Sequence, residues 1–176
     1  MSRQFAQDLA AAAVAAGTWT IVVPASTATF TVRDKVVSTV HGSLPITSGT
    51  VVTEAGGRVV RAIIELHVAG VATGNTHRDR DLRKPRFLDA AAHPTIVVEA
   101  GQTEPQDVGW TAEARLSARG ASCPLTLEVT PTSVEGERVR ARVTGRLDRT
   151  GLGMRVPTFI VGRFIELDVD VLFERT

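Results

Sequence analysis

Histidine and cysteine are the residues of this chain best suited to metal or nucleophilic chemistry, and their spacing argues against both. The four histidines form neither a His-x-His nor a His-x-x-x-His pair, the spacings that would bring two imidazoles to one metal ion. They are His41, His67, His77 and His93. Cys123 is the single cysteine, which excludes an internal disulfide and a cysteine-based zinc set. It is predicted to lie in a turn of residues 122–124 between two strands and is interpreted as a small buried apolar residue. There is also no Gly-x-Ser-x-Gly elbow and no glycine-rich phosphate loop. The sequence therefore predicts no catalytic residue, no metal site and no cofactor.

Residues 73–100 form the longest stretch that does not alternate like a β-strand. Thr76 is a predicted N-cap, and Asp79 three residues later favours the positive end of a helix. Helical turns are expected to continue to Pro85, which has no amide hydrogen and stops them. The pattern predicts one short charged helix inserted into a β chain.

Alternation of apolar and polar residues with a period of two dominates the rest of the chain. A clear case is the run in which Val139, Ala141 and Val143 alternate with arginines. Runs of this kind, joined by short turns without long helices, predict an antiparallel sheet. Periodicity alone does not choose between a sandwich and a barrel. Runs of about ten residues favour closure, because a long open edge would invite aggregation.

The predicted fold class is therefore all-β, an extended antiparallel eight-stranded β-barrel with a short helical insertion. A barrel of eight strands is wide enough to be filled by side chains or to hold one small ligand. Its inward positions include many small residues, whereas a solid core would be expected to use more large side chains, so an open apolar tunnel is one interpretation. The alternative is that loops, the turn at Phe87 or the Phe159-Ile160 segment fill the space.

Charge and hydropathy exclude two classes of partner. The formal net charge is +1, and basic residues are interleaved with acidic ones, so nucleic acid is not an expected partner. No run approaches the ~20 apolar residues of a membrane-spanning helix.

The alanine-rich N-terminus has two interpretations. Residues 1–16 are predicted to be a helical segment that packs on a barrel domain of residues 17–176 or on a second subunit. Asp8 and weak hydrophobicity argue against a signal peptide. A cytoplasmic location is therefore preferred, with a periplasmic or secreted one if this segment is cleaved.

Several motifs stand in a fixed order along the chain. They are Thr73-Gly74-Asn75, Arg78-Asp79, Leu82, Phe87-Leu88-Asp89-Ala90, His93-Pro94, residues 114–120 (ARLSARG) and residues 147–153 (LDRTGLG). This series resembles the signature of the YceI family of polyisoprenoid-binding, lipocalin-like proteins, from about Gly17 to the C-terminus. The chain departs from the family pattern at Ser26-Thr27, Arg33 and Leu44.

The resemblance implies a barrel that encloses a long isoprenoid chain. The expected activity is binding or carriage of a polyisoprenoid, an isoprenoid quinone or a fatty acyl lipid by a non-enzyme, and a homodimer is the expected assembly. The alternatives are a lipid-modifying enzyme and a stress-related interaction protein with a filled barrel. The predicted ligand-binding residues are Phe30, Leu66, Leu82, Phe87, Leu116, Leu127, Val143, Phe159 and Leu167.

The same resemblance implies a polar site at the mouth of the tunnel. Asn75, Arg78 and Asp79 match a Gly-Asn-x-x-Arg-Asp motif, and an arginine beside a helix N-terminus could bind the phosphate of a head group. The structural alternative is that Arg78 and Asp79 cap the helix or pair with strand ends.

Overall fold

The computed structural model describes residues 14–34, 38–157 and 161–176, which contain ten β-strands and one α-helix. The elements are β1 (Gly17–Ile21), β2 (Thr27–Asp34), β3 (Ser38–Leu44), β4 (Ile46–Thr53), β5 (Val59–His67), α1 (Thr76–Leu82), β6 (Thr95–Pro105), β7 (Trp110–Ala118), β8 (Ala121–Glu135), β9 (Arg138–Asp148) and β10 (Val161–Arg175). No helix among these residues is long and apolar enough to cross a bilayer. Of the helical segment predicted for residues 1–16, residues 1–13 lie outside the described ranges, and residues 14–16 are not helical.

Eight of the strands form a closed antiparallel ring in the order β1-β4-β5-β6-β7-β8-β9-β10, and pairing of β10 with β1 completes it. The long strand β10 pairs with β1 near its C-terminal end and with β2 over its first ten residues. Strands β1 and β2 therefore act as one strand interrupted at residues 22–26. The predicted eight-stranded barrel is confirmed.

At one end the barrel wall is not a continuous sheet, because β3 pairs with β2 but not with β5. The chain that follows β5 completes this part of the wall. Its Ala72 exchanges two backbone hydrogen bonds with Ser43 of β3, at 2.8 and 3.0 Å. The helix α1 begins four residues after Ala72, and its residues form part of the cavity wall at this end of the barrel.

The interior is filled in the middle and at the far end, which is the end opposite α1. The middle layer consists of apolar side chains that include Ile21, Leu127, Val143 and Val171, and Val171 is fully buried. At the far end the indole nitrogen of Trp19 donates a hydrogen bond of 2.8 Å to the hydroxyl of Thr53. This packing leaves only the α1 end of the barrel for a sizeable cavity.

Residues 122–124, which the sequence predicted to lie in a turn between strands, belong to β8, so that prediction was wrong. Cys123 is buried, as expected for a small apolar residue. The turn before β8 is made by Arg119 and Gly120, which both have positive φ. Burial raises the pKa of the Cys123 thiol, which disfavours the reactive thiolate.

Ion pairs connect the outer faces of β9 and β10. Their arginines and carboxylates lie across the strand pair from each other, as opposite charges on neighbouring strands prefer. The pairs are Arg138–Glu174, Arg140–Asp170, Arg142–Asp168, Arg146–Glu166 and Arg163–Asp148. These contacts join the last strand, which closes the barrel, to its neighbour along nearly its whole length.

Acid is expected to destabilise the barrel through this surface. The carboxylate of Asp148 accepts hydrogen bonds from Arg163 and from the Thr150 hydroxyl, and these hold its pKa well below the usual range. A hydrogen bond from Arg142 likewise lowers the pKa of Asp168. A carboxyl whose pKa is lower in the folded state stabilises the fold above its unfolded pKa of about 3.9. That stability is lost as the pH falls from about 4 toward the folded-state value. The urea midpoint should therefore drop steeply below about pH 4.

The variant Asp148→Asn should flatten this dependence, whereas Glu54→Gln, in the exposed turn between β4 and β5, should leave it unchanged. The same slope in Asp148→Asn as in the original protein would contradict the assignment.

Candidate functional site

A cavity of about 460 Å³ occupies the α1 end of the barrel. Its wall is built from inward side chains of β2, β3, β5, β6, β7 and β10, together with residues of α1 and of the turn that follows β9. Most of them are aliphatic or aromatic. The volume lies in the lower half of the range of about 300–1,000 Å³ that is common for small-molecule sites.

Six of the predicted ligand-binding residues come together in this wall. They are Phe30, Leu66, Leu82, Phe87, Leu116 and Leu167. They come from strands β2, β5, β7 and β10 and from α1 with the turn that follows it, and the fold brings these distant stretches to one end of the barrel.

Two predicted residues, Leu127 and Val143, line neither this cavity nor the small one at the far end. Both point inward, as predicted, but they lie in the middle layer, deeper than the floor of the cavity. Leu127 packs over Gly145 of β9, where an added Cβ would lie 2.8 Å from its methyl group. Because Gly145 has no side chain, Leu127 fills the space above it, and this small residue leaves no open space. Phe159 lies outside the described residues.

Phe30 holds its place in the wall through a glycine on the neighbouring strand. Gly42 of β3 is its direct cross-strand partner, and a Cβ on Gly42 would lie only 2.2 Å from the Phe30 ring. Any side chain at position 42 would push the ring out of place. The aromatic wall on this side therefore depends on Gly42.

The polar part of the wall comes mainly from α1, through Asn75, His77, Arg78 and Asp81. The side chain of His77 is 81% exposed, which places the mouth of the cavity beside this helix. A hydrogen bond from Lys84, supported by the nearby charges of His77 and Arg86, lowers the pKa of Asp81. The mouth thus keeps a carboxylate that is already paired with basic groups.

The start of α1 differs by one residue from the prediction. Asn75, not Thr76, is the N-cap, and its side-chain oxygen accepts a hydrogen bond of 3.0 Å from the Arg78 amide. Asp79 is not part of the cavity wall. Its carboxylate accepts hydrogen bonds from the amide and the hydroxyl of Thr73, at 2.9 and 2.6 Å.

Arg78 contacts the loop before α1 and also lies at the mouth of the cavity. Its Nε donates a hydrogen bond of 2.9 Å to the hydroxyl of Thr73, and the residue also lines the mouth. The sequence left open whether Asp79 has a structural role. The structure gives it one, because the hydrogen bonds from Thr73 to its carboxylate fasten the loop before α1 to the helix. Asn75 and Arg78 remain beside the opening.

Arg149, which the sequence analysis did not select, is a charged residue in the cavity wall with only 2% of its surface exposed. Its guanidinium donates to the carbonyl oxygens of Val156 at 2.9 Å, Val161 at 2.5 Å and Gly162 at 2.8 Å. Burial lowers its pKa, although Asp148 nearby opposes the shift. Arg149 therefore fixes the chain before β10 to the turn after β9. The signal in the sequence was its place in the motif of residues 147–153.

The arrangement of side chains in this site suits the binding of an apolar ligand. Within residues 14–34, 38–157 and 161–176, no group of three His, Cys, Asp or Glu side chains could hold a metal ion. His41 contacts the hydroxyl of Thr31 at 3.1 Å on the outer surface, and His67 is exposed. The cavity offers a long apolar wall with polar groups near its opening, and such a surface recognises a ligand mainly by apolar contact and length.

Comparison with solved structures finds the same fold in three other proteins. BcnA of Burkholderia cenocepacia has a TM-score of 0.77 at 13% identity, over 86% of this chain and 98% of BcnA. A polyisoprenoid binding domain from Saccharophagus degradans, implicated in plant cell wall breakdown, has a TM-score of 0.72 at 13% identity, over 90% of this chain and 98% of that domain. The YceI protein of Campylobacter jejuni has a TM-score of 0.62 at 17% identity, over 67% of this chain and 74% of its own.

Sequence comparison assigns the family. No curated protein sequence matches the chain. The family described as YceI-like domain matches residues 19–174, which include all ten strands except the ends of β1 and β10. The resemblance seen in the spaced motifs is thereby confirmed, and the chain belongs to the YceI-like domain family.

Proposed function

We propose that the barrel binds a long apolar ligand in its cavity and carries it without chemical change. The ligand class is a polyisoprenoid, an isoprenoid quinone or a fatty acyl lipid. The observation that carries the proposal is the cavity itself, about 460 Å³ in volume and walled by Phe30, Leu66, Leu116, Leu167 and similar side chains. The polyisoprenoid binding domain from Saccharophagus degradans, which shares the fold, supports this ligand class.

The size of the cavity sets an approximate affinity. A cavity of this volume suits a ligand of roughly 25 heavy atoms. At about −0.3 kcal/mol per atom the binding free energy is about −7.5 kcal/mol, which corresponds to a dissociation constant of a few micromolar. A longer tail gains affinity only if the middle layer of the barrel opens to admit it.

The orientation follows from where the polar groups stand. The apolar tail would point toward Leu116 and the middle layer, since a head group there would lose its contacts with water. The polar head would remain at the mouth beside Asn75 and Arg78, where a phosphate or hydroxyl could be hydrogen-bonded. Asp79 takes no part, because Thr73 occupies its carboxylate.

Native mass spectrometry of freshly purified protein tests the proposal. The expected spectrum shows an adduct of defined mass, and organic extraction followed by lipid identification names its class. A protein that stays free of adducts after incubation with polyprenols, quinones and fatty acids would contradict the proposal. The same spectrum tests the predicted homodimer.

Chain length should affect affinity up to a limit set by the middle layer. In displacement titrations with prenols of increasing length, affinity should rise by up to about 0.8 kcal/mol for each methylene buried and then level off. The plateau is expected when the tail reaches the side chains of Leu127 and Val143.

Leu127→Ala should move this plateau to longer prenols, at a stability loss of about 2–5 kcal/mol. The matched control is Leu172→Ala on β10, whose neighbours Val171 and Phe173 pack in the core, so that Leu172 points the other way. A plateau at the same length in both variants would show that Leu127 is not the floor.

A further inference from the structure

We infer that the mouth of the barrel docks on the surface of an anionic phospholipid bilayer. The inference extends the proposed function, because a bilayer is where an apolar ligand would be collected or delivered. It rests on the distribution of charge around the mouth, on the opposite distribution at the far end and on an aromatic side chain at the rim.

The segment of residues 76–89, which we name the rim, has an excess of positive charge. It contains five basic residues, Arg78, Arg80, Arg83, Lys84 and Arg86, and three acidic ones, Asp79, Asp81 and Asp89. Two of these carboxylates are already occupied, Asp79 by Thr73 and Asp81 by Lys84.

Three rim arginines present their charge to solvent. Arg80, Arg83 and Arg86 are exposed, and Arg80 and Arg83 form no ion pair with another residue in the described part of the chain. Arg80 and Arg83 are three positions apart, so they lie on neighbouring parts of the helical surface. Arg119 adds a further charge, since its guanidinium donates to the carbonyl oxygens of Pro85 and Arg86.

The far end of the barrel has the opposite character. Its three hairpin turns, residues 54–58, 106–109 and 135–137, contain four acidic residues, Glu54, Asp107, Glu135 and Glu137, and one basic residue, Arg58. The adjoining strand ends add Arg138, Arg175 and Glu174, so acidic residues still outnumber basic ones at this end, five to three. The net charge of +1 therefore conceals a separation of charge along the barrel axis. Such a molecule would turn its rim toward an anionic surface.

An aromatic residue joins the basic rim to the cavity. Phe87 is half-buried and lines the cavity, and the guanidinium of Arg86 lies 5.0 Å from the centre of its ring. An apolar side chain flanked by basic residues suits the boundary between lipid head groups and acyl chains. Docking by the rim would bring the cavity mouth against the bilayer, so a ligand could pass between them with little exposure to water.

Vesicle co-sedimentation tests the inference with phosphatidylcholine alone and with about 30% phosphatidylglycerol added, since anionic head groups attract basic residues. The protein should bind the anionic vesicles and not the neutral ones, and binding should weaken as salt rises from about 0.1 to 0.5 M. Arg80→Gln, Arg83→Gln and Arg86→Gln combined should lower the partition coefficient about 100-fold, or about fivefold for each charge.

The matched control is Arg58→Gln combined with Arg61→Gln, two exposed arginines away from the rim, and it should retain binding. Equal binding to neutral and anionic vesicles, or an equal loss in both variants, would overturn the inference. Displacement of a fluorescent apolar probe in solution measures ligand binding without a bilayer, so it tests the proposed function separately from docking. A protein that binds the probe but no anionic vesicle refutes docking alone, and one that binds vesicles but no apolar ligand refutes the proposed function.

Discussion

Leu116→Trp is expected to abolish binding of the apolar ligand while the barrel remains folded. Leu116 is 6% exposed and points from β7 into the cavity, where the larger indole would occupy space that the ligand needs. Because the side chain enters a cavity of about 460 Å³, the overpacking that normally destabilises a core by about 1–3 kcal/mol should be small. Lipid co-purification and probe displacement should both disappear.

Ser117→Trp is the matched control, since the next residue on the same strand points to the other face of the sheet. It adds the same bulk outside the barrel and should keep the full lipid content. Unchanged lipid content in Leu116→Trp would show that the ligand does not occupy this cavity.

Arg149→Met should destabilise the folded barrel by about 3 kcal/mol. The substitution removes a donor group shared by the carbonyl oxygens of Val156, Val161 and Gly162, and hydrogen bonds to charged groups contribute about 1.5–3 kcal/mol each. Part of this is offset, because a buried guanidinium is itself costly to remove from water. For a chain of this size the melting temperature should fall by about 6–12 °C.

The control is Arg146→Met, which removes an exposed arginine paired with Glu166 on the outer surface. An ion pair of that kind contributes about 0–1 kcal/mol. Arg149→Lys should recover only part of the loss, since an ammonium group lacks the planar fork that reaches three carbonyls. Equal urea midpoints for Arg149→Met and Arg146→Met would show that the buried contacts do not stabilise the fold.

The barrel was predictable because strand periodicity reports directly which face of a sheet is buried. The alternating residues of β9 and β10 gave both the apolar interior and the charged exterior, and the length of the runs favoured closure. The interruption of the first strand at residues 22–26 was signalled by Pro24. The exact start of α1 was not predictable, since Asn75 and Thr76 are both good N-cap residues and tertiary contacts choose between them.

The site was predictable in direction but not in depth. Alternation shows that Leu116 and Leu127 both point inward, yet it does not tell how far along the barrel axis each one lies. Depth depends on register between strands, and on cross-strand pairs such as Leu127 with Gly145, in which a small residue makes room for a large one. Small inward residues were therefore an ambiguous sign of empty space.

Arg149 escaped prediction for a different reason. Arginine is almost never fully buried unless its donors are satisfied, so a sequence with no alignment gives no ground for placing it inside. Its partners are the backbone carbonyls of Val156, before β10, and of Val161 and Gly162 at the start of β10, and any residue type supplies a carbonyl. A contact of this kind does not depend on the side chains of the partner residues, so their identities do not indicate it.

The position of the two tryptophans determines what intrinsic fluorescence can report. Trp19 and Trp110 both lie at the far end of the barrel, separated from the ligand cavity by the middle layer, and the chain has no tyrosine. Their emission should change strongly when the barrel unfolds and very little when the cavity fills. Protein emission would therefore change very little in a titration with the ligand, even at saturation, whereas the same emission would report unfolding of the barrel.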